Sequence, residues 1–233
     1  MDVEFWSDVV CPYCGLMDHR LHTAIDRFEH GARVRLVHRS FQLHPDLPRE
    51  GVSQRALLVR YGVPQNEERV LRPLERLAEA EGLVPYHAVE RTLGPTDLAH
   101  QLLAFASEQG RGAEIWTAMF RAHFGEARPF WTREDVLAFA AEVGLDRDDA
   151  AAALDSHRYR ARVAADQRAA ERLGAHGTPF VVLDGAYALN GAVSVDDLVA
   201  ALRTAWTAGH HDLVPLADAG GTCTPDGCLV PRT

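Results

Sequence analysis

Two cysteines near the start of the chain have the spacing that most clearly suggests chemistry. Cys11 and Cys14 stand three apart in SDVVCPYCGL, with Pro12 and Tyr13 between them. Such a pair can be a redox dithiol, half of a metal site or a structural disulfide. The elements around the pair decide among these alternatives.

The sequence places Cys11 between a strand and a helix. Residues 3–7 alternate as a short strand, and helical spacing begins after the cysteines. Pro12 suits the first helical position, because its missing N–H costs nothing there. Cys11 then lies at the helix N-terminus, where free N–H groups and the helix dipole stabilise a thiolate and lower its pKa from about 8.5 to roughly 3.5–7.5. Cys14 follows on the same helix face, so Cys11 is predicted to attack a disulfide and Cys14 to resolve it.

The sequence GTPF at 177–180 is a second candidate for the site. Pro179 stands at the very start of a predicted strand, although proline gives the ladder no donor. A cis Thr178–Pro179 bond would bring the backbone of Thr178 beside the cysteines, where it could pair with a bound peptide as an added strand. Thr178 and Pro179 are therefore predicted to bind substrate.

The other elements predict an α/β domain that is interrupted by helices. A second strand is expected at 34–43, and a hairpin at Asp184–Gly185 precedes a helix capped by Ser194. The long block between them is helical throughout, with a kink or break at Pro73. A block of this size cannot be one crossover helix. We predict a small α/β domain made of residues 1–51 and 174–207, an inserted helical subdomain at 52–173, and a C-terminal tail at 208–233.

Composition and charge exclude several classes of function. The chain has 233 residues, and 47% of them are hydrophobic, which is enough for a sizeable core. Its net charge of −9 argues against nucleic acid or an acidic membrane surface as a partner. It has no lysine, which excludes Schiff-base catalysis. We see no targeting segment or membrane-spanning run and expect a cytoplasmic protein, in which a cysteine pair is more often catalytic or metal-binding than a permanent disulfide.

Four longer stretches of the chain carry a family resemblance. They are SDVVCPYC at 7–14, TDLAHQLLAFASEQG at 96–110, VLAFAAEVGLD at 136–146 and HGTPFVVLDGAYALNGA at 176–192. Together they resemble the DsbA-like thiol–disulfide oxidoreductases, specifically the FrnE-type branch. The resemblance implies a thioredoxin fold with a large helical insertion, with Cys11 as nucleophile, Cys14 as resolving thiol, and a substrate-facing cis-proline loop at Thr178 and Pro179.

Three departures from the family pattern bear on the direction of the reaction. Pro12 and Tyr13 replace the Pro-Trp of many FrnE-type relatives, and this dipeptide tunes the redox potential. Position 15 is Gly where an aromatic residue is common. Position 178 is Thr where relatives often have Val, and Thr there also occurs in reductase- and isomerase-like thioredoxin folds. The resemblance, like a reducing cytoplasm, therefore favours a reductase or isomerase.

Two further side chains are predicted to tune the dithiol. Glu4 lies in the first strand, where buried acids of thioredoxin folds can relay protons for the resolving thiol; the alternative is a strand carboxylate in solvent. His176 precedes the Gly-Thr-Pro loop and, if protonated, would lower the pKa of Cys11. The alternative for His176 is an ordinary polar loop residue.

A second cysteine pair lies near the end of the chain. Cys223 and Cys228 flank the turn-forming sequence TPDG, so they can approach each other. They are predicted either to form a local staple, or to exchange with the first pair as a second redox pair. A structural zinc site formed with His210 and His211 is a weaker alternative, because zinc ribbons have a different cysteine spacing.

The leading hypothesis is a protein thiol–disulfide reductase or isomerase that needs no cofactor. Its partners would be client proteins with disulfides or thiols, with glutathione or another thiol as donor. The main alternative is a glutathione-dependent enzyme, because 2-hydroxychromene-2-carboxylate isomerases and kappa-class transferases share this architecture. Those enzymes usually carry Ser at the position of Cys11. A holdase chaperone that uses the groove between the two subdomains is the non-enzymatic alternative.

Overall fold

The computed structural model describes residues 1–208, 214–218, 223–224 and 227–228. The strands are β1 (Asp2–Ser7), β2 (Arg35–Ser40), β3 (Val52–Ser53), β4 (Thr92–Leu93), β5 (Phe180–Leu183), β6 (Tyr187–Asn190), β7 (Val214–Asp218), β8 (Cys223–Thr224) and β9 (Gly227–Cys228). The helices are α1 (Pro12–Arg27), α2 (Gln54–Arg60), α3 (Arg72–Ala80), α4 (Asp97–Glu108), α5 (Gly112–Phe120), α6 (Arg133–Glu142), α7 (Arg147–Asp155), α8 (Arg160–Arg172) and α9 (Val195–Ala208). Two π-helical segments, Glu67–Leu71 and Arg121–Gly125, adjoin α3 and α5.

Five strands form the main sheet in the order β2-β1-β5-β6-β7. β1 is parallel to β2 and antiparallel to β5, so Phe5 has His38 and Val181 as its register partners. β5 is antiparallel to β6, and β6 is parallel to β7. Helices cover both faces: His38 contacts Asp18 of α1 on one face, and Trp6 Nε1 donates to a carbonyl of α8 at 2.8 Å on the other.

The hairpin between β5 and β6 turns at the predicted dipeptide. Asp184 has φ of 51° and Gly185 has φ of 69°. Both values lie in the left-handed region, which Gly adopts at no steric cost and Asp tolerates through its short polar side chain. β5, the first strand of the hairpin, pairs with β1 through Phe180 and Trp6. This pairing places the segment that precedes β5 next to the end of β1.

Helices α2 to α8 lie between β2 and β5 in the chain and form the helical insertion. At Pro73, where a kink or break is predicted, the helix changes type: the π-helical segment ends at Leu71, and Pro73 is the second residue of α3. The hydrophobic core runs through both parts of the chain. Trp116 of α5, for example, stacks on His38 of β2 with ring centroids 5.5 Å apart.

The prediction that residues 208–233 form only a tail is wrong for one segment. β7 pairs in parallel with β6 and extends the main sheet. Its short run, VPLAD, has little strand signal of its own, and the pairing depends on an edge that only the folded sheet offers. Cys223 and Cys228 are register partners in the small β8–β9 sheet.

The predictions made for the second cysteine pair depend on side chains outside the part of the chain that the structure describes. The side chains of Cys223 and Cys228 are not described, and neither are His210 and His211. Within the described ranges, no cluster of three or more His, Cys, Asp or Glu side chains is arranged to hold a metal ion. None of the helices formed by those residues has the length and apolar character to cross a bilayer.

Candidate active site

The dithiol lies at the start of α1. The Cys11 N–H donates to the Asp8 carbonyl at 3.1 Å, and this turn leads from β1 into the helix. Cys11 is the residue before α1, Pro12 is its first residue, and the Cys14 N–H donates to the Cys11 carbonyl at 2.9 Å. Both sulfurs are unbridged and fully buried. A substrate can therefore reach them only when neighbouring side chains move.

The two thiols differ in acidity. Burial raises the pKa of Cys11, but hydrogen bonds that the Cys14 thiol, the Thr178 side chain and the Cys14 N–H donate to the thiolate outweigh burial and lower it. Burial raises the pKa of Cys14 well above its usual value, and the hydrogen bond and charge of Cys11 raise it further. Cys11 therefore ionises first, which suits a nucleophile, while Cys14 stays protonated until it is needed.

The segment before β5 lies against Cys11. The Thr178–Pro179 peptide bond is cis, and the Cys11 thiol donates to the Thr178 carbonyl at 3.7 Å. Thr178 and Pro179 are both buried. The pairing of Phe180 with Trp6 brings this segment to the end of β1, where the turn into α1 begins. The structure thus brings together the cysteines and both residues of the predicted loop.

Asp8 is a buried carboxylate at the site that the residue patterns did not single out. Its Oδ2 accepts from the Leu43 N–H at 2.6 Å, and its Oδ1 lies 3.3 Å from His100 Nε2. Burial raises the pKa of Asp8, but His100 and the Leu43 N–H outweigh burial and hold it below its usual value. The Asp8 charge raises the pKa of Cys11. The available signal was its place in SDVVCPYC, three residues before Cys11.

Glu4 does not lie at the dithiol, which corrects its interpretation as a proton relay. Along β1 it alternates with Phe5 and shares the sheet face of Trp6, which α8 covers. Its carboxylate accepts from Arg39 Nε at 3.0 Å and Arg39 Nη2 at 2.7 Å. The helix that carries the cysteines lies on the other face, as the contact between His38 and α1 shows. Glu4 therefore forms an ion pair with Arg39, and Asp8 is the carboxylate whose charge acts on Cys11.

The remaining predicted residues differ in their surroundings. Tyr13 is buried between the cysteines, and burial together with the charge of Cys11 raises its pKa to about 12. Its phenol therefore stays protonated at neutral pH. His176 is exposed two residues before Thr178. Its influence on Cys11 stays a prediction.

Two side chains of the helical insertion reach the carbonyl groups of the residues on either side of Cys11. Arg91 Nη1 donates to the Val10 carbonyl at 2.8 Å, and the Tyr86 hydroxyl donates to the Pro12 carbonyl. Sequence reasoning missed both residues, because neither stands in a recognisable motif or near the cysteines in the chain. No local signal could have found them.

Comparisons with known proteins agree with this architecture. A family model described as a DSBA-like thioredoxin domain matches residues 2–203. A probable DsbA oxidoreductase from Streptomyces coelicolor is 36% identical, with a TM-score of 0.82 and complete coverage of both chains. A 2-hydroxychromene-2-carboxylate isomerase is 18% identical with a TM-score of 0.65, over 88% of this chain and 94% of that one. Cytosolic disulfide reductase DsbM from Pseudomonas aeruginosa, solved with GSH, is 21% identical with a TM-score of 0.56, over 88% and 98%.

The two more distant structures show the shared fold, and the family model and the Streptomyces coelicolor structure show the family. The fold class predicted from the sequence, a thioredoxin fold with a helical insertion, is confirmed. Within that fold, the site is formed by a helix that starts directly after Cys11 and by a proline segment that lies against the Cys11 thiol. The chain belongs to the family of DsbA-like thioredoxin domains.

Proposed function

We propose that the protein is a thiol–disulfide oxidoreductase that acts as a reductase or isomerase on client proteins, with Cys11 as nucleophile and Cys14 as resolving thiol. The observation that carries the proposal is the geometry of the dithiol: Cys11 lies directly before α1, Cys14 follows one turn later with its N–H on the Cys11 carbonyl, and the cis Thr178–Pro179 segment lies against the Cys11 thiol. The opposite directions of the two thiol pKa shifts agree with it. The family supports it, because DsbA-like proteins are generally oxidoreductases or isomerases. The assignment to the FrnE-type branch is part of this proposal and rests on the sequence stretches quoted above.

The reduction proceeds in two exchanges. The Cys11 thiolate attacks one sulfur of a client disulfide, a mixed disulfide forms, and the other client sulfur leaves and takes up a proton. Cys14 then loses its proton and attacks the Cys11 sulfur, which releases the second client thiol. The client gains two electrons and two protons, and the enzyme is left with a Cys11–Cys14 disulfide. For isomerisation, a client thiol instead attacks the mixed disulfide, and Cys11 leaves unchanged.

Reduction requires a donor that returns two electrons to the enzyme. Two molecules of glutathione or another thiol would reduce the Cys11–Cys14 disulfide and become a disulfide themselves. The cytosolic reductase DsbM, solved with GSH, supports glutathione as this donor and the cytoplasm as the compartment.

The pair Cys223 and Cys228 is proposed as a second exchange partner. If it is, replacing both by Ser will change the turnover or the redox potential, and unchanged values would remove this role.

Insulin reduction in the presence of glutathione tests the main proposal. We expect Cys11→Ser to abolish the activity, because it removes the attacking sulfur. We expect Cys14→Ser to accumulate a mixed disulfide between Cys11 and insulin, visible on a non-reducing gel. Activity of Cys11→Ser equal to that of the unaltered protein would refute the proposed nucleophile.

A second candidate is isomerisation of 2-hydroxychromene-2-carboxylate, which the structural similarity to that isomerase favours. It predicts that chromene isomerisation is measurable with glutathione and survives in Cys11→Ser, because such enzymes usually carry Ser at this position. Loss of both activities in Cys11→Ser favours the oxidoreductase. A holdase, the non-enzymatic alternative, would suppress aggregation undiminished when Cys11 and Cys14 are both Ser.

A further inference from the structure

The carbonyl groups of the two residues that flank Cys11 are held by one segment of the helical insertion, residues 86–91. Arg91 Nη1 donates to the Val10 carbonyl at 2.8 Å, and the Tyr86 hydroxyl donates to the Pro12 carbonyl. We call Tyr86 and Arg91 the clamp. Both are buried, so water does not compete for these carbonyls.

The clamp residues are themselves fixed from behind. Arg91 Nε donates to the Ala88 carbonyl at 3.1 Å, Nη2 donates to Gln54 Oε1 at 2.9 Å, and Nη1 also donates to His123 Nε2 at 2.8 Å. The Phe124 ring supports both members: it lies 5.0 Å from the Arg91 guanidinium and stacks on Tyr86 with centroids 4.8 Å apart. Their side chains therefore have little freedom to leave the carbonyls.

The segment that carries the clamp is also anchored. Glu75 of α3 accepts hydrogen bonds from the Ala88 N–H at 2.8 Å and the Val89 N–H at 2.9 Å. Its other carboxylate oxygen accepts from Arg72 Nη1 at 2.9 Å. The position of α3 is thus transmitted through this segment to the start of α1.

The active-site helix leaves space for the clamp. A Cβ on Gly15 would lie 2.6 Å from the Tyr86 hydroxyl oxygen and 2.8 Å from Phe124 Cδ2. Tyr86 and Phe124 therefore occupy the space beside position 15, which Gly leaves open because it has no side chain.

The clamp also brings charge close to the thiol. Burial lowers the pKa of Arg91 to about 10, so its guanidinium is still cationic at neutral pH. The groups whose charges act on it are Tyr86, Cys11, Asp8 and Glu75. A cation near Cys11 favours its thiolate. Tyr86 is neutral and can act only by holding the first turn of α1, where the Cys14 N–H faces Cys11.

We propose that Tyr86 and Arg91 are positioning residues that set the reactivity of Cys11, so that the helical insertion tunes the redox potential of the dithiol. This inference rests on the proposed function. The relevant equilibrium is the reaction of the Cys11–Cys14 disulfide with two glutathione molecules to give the dithiol and glutathione disulfide. Weakening the clamp destabilises the Cys11 thiolate and shifts this equilibrium toward the enzyme disulfide.

The test compares Tyr86→Phe and Arg91→Gln with the unaltered protein. Two quantities are measured: the equilibrium constant against glutathione, and the rate of Cys11 alkylation by iodoacetamide as a function of pH. Loss of one hydrogen bond predicts a change of about threefold to tenfold in the constant for Tyr86→Phe, with the alkylation profile moved to higher pH. Arg91→Gln should move both in the same direction and further, because it also removes the charge.

Tyr159→Phe is the matched control, since Tyr159 is buried in the same insertion against Phe105. It should leave both measurements unchanged. If Arg91→Gln does not fold, Tyr86→Phe decides. A folded Tyr86→Phe protein with an unaltered equilibrium constant and alkylation profile overturns the inference, as does an equal change in Tyr159→Phe. Neither measurement needs a client protein, so failure here is distinct from failure of insulin reduction.

Discussion

His123 gives a quantitative prediction for the stability of the protein in acid. It is buried, its Nδ1–H donates to the Arg128 carbonyl at 2.8 Å, and its Nε2 accepts from Arg91 at 2.8 Å. The contact with Arg91 requires an unprotonated Nε2 and hence the neutral ring, whereas the hydrogen bond to the Arg128 carbonyl is compatible with either form. Burial and the Arg91 charge lower the pKa of His123 from 6.5 to about 3. The folded protein therefore keeps His123 neutral over a pH range in which the unfolded chain protonates it.

The size of the effect follows from the two pKa values. Between pH 6.5 and 3 the unfolded chain binds one more proton than the folded protein, so the free energy of unfolding falls as the pH falls. Each pH unit within this window costs about 1.4 kcal/mol. From pH 7.5 to pH 4.5 His123 alone should therefore remove about 3 kcal/mol of stability, which is a large share of the total for a typical domain.

Urea denaturation followed by circular dichroism at several pH values measures this loss. In His123→Gln the side-chain amide can still accept from Arg91 and donate to Arg128, but it does not titrate. We expect the variant to lose about 3 kcal/mol less than the unaltered protein between pH 7.5 and 4.5, each protein being compared with its own value at pH 7.5. Equal losses in the two proteins would refute the neutral buried histidine.

Two further predictions concern the surroundings of the dithiol. Gly15→Ala should lower the free energy of unfolding by about 1–3 kcal/mol through overpacking against Tyr86, which corresponds to a fall in Tm of roughly 2–4 °C per kcal/mol. Gly125→Ala is the control and should be near neutral, because its Cβ would have no neighbour closer than 3.9 Å. Equal melting curves for the two variants would contradict the contact between position 15 and Tyr86. Asp8→Asn should move the pH profile of Cys11 alkylation to lower pH, because the substitution removes the charge that raises the Cys11 pKa. Glu4→Gln should leave this profile unchanged. The reverse result would restore Glu4 as the carboxylate that acts on Cys11.

Much of the fold and part of the site could be predicted from the sequence because their causes are local. Pro12 at the first helical position and the three-residue spacing to Cys14 define the start of α1 and the face that carries both thiols. Asp184 and Gly185 define the hairpin through their backbone preferences. The family resemblance supplied the fold class and pointed to the proline segment.

Other features could not be predicted because they depend on which surfaces meet. Strand periodicity identifies Glu4 as a candidate but does not say which sheet face α1 will cover, and the folded sheet pairs Glu4 with Arg39 instead. Asp8 becomes a buried charge only because Leu43 and His100 converge on it from distant parts of the chain.

The sequence by itself determined a helix that begins directly after Cys11, a second cysteine one turn later and a strand hairpin that follows a long helical block. Only the tertiary structure decided which side chains surround that cysteine. Tyr86 and Arg91 reach its two neighbouring carbonyls across more than seventy residues of chain. The physical reason is range: backbone preferences act over a few residues, whereas burial, charge and shared hydrogen bonds act between whatever residues packing brings together.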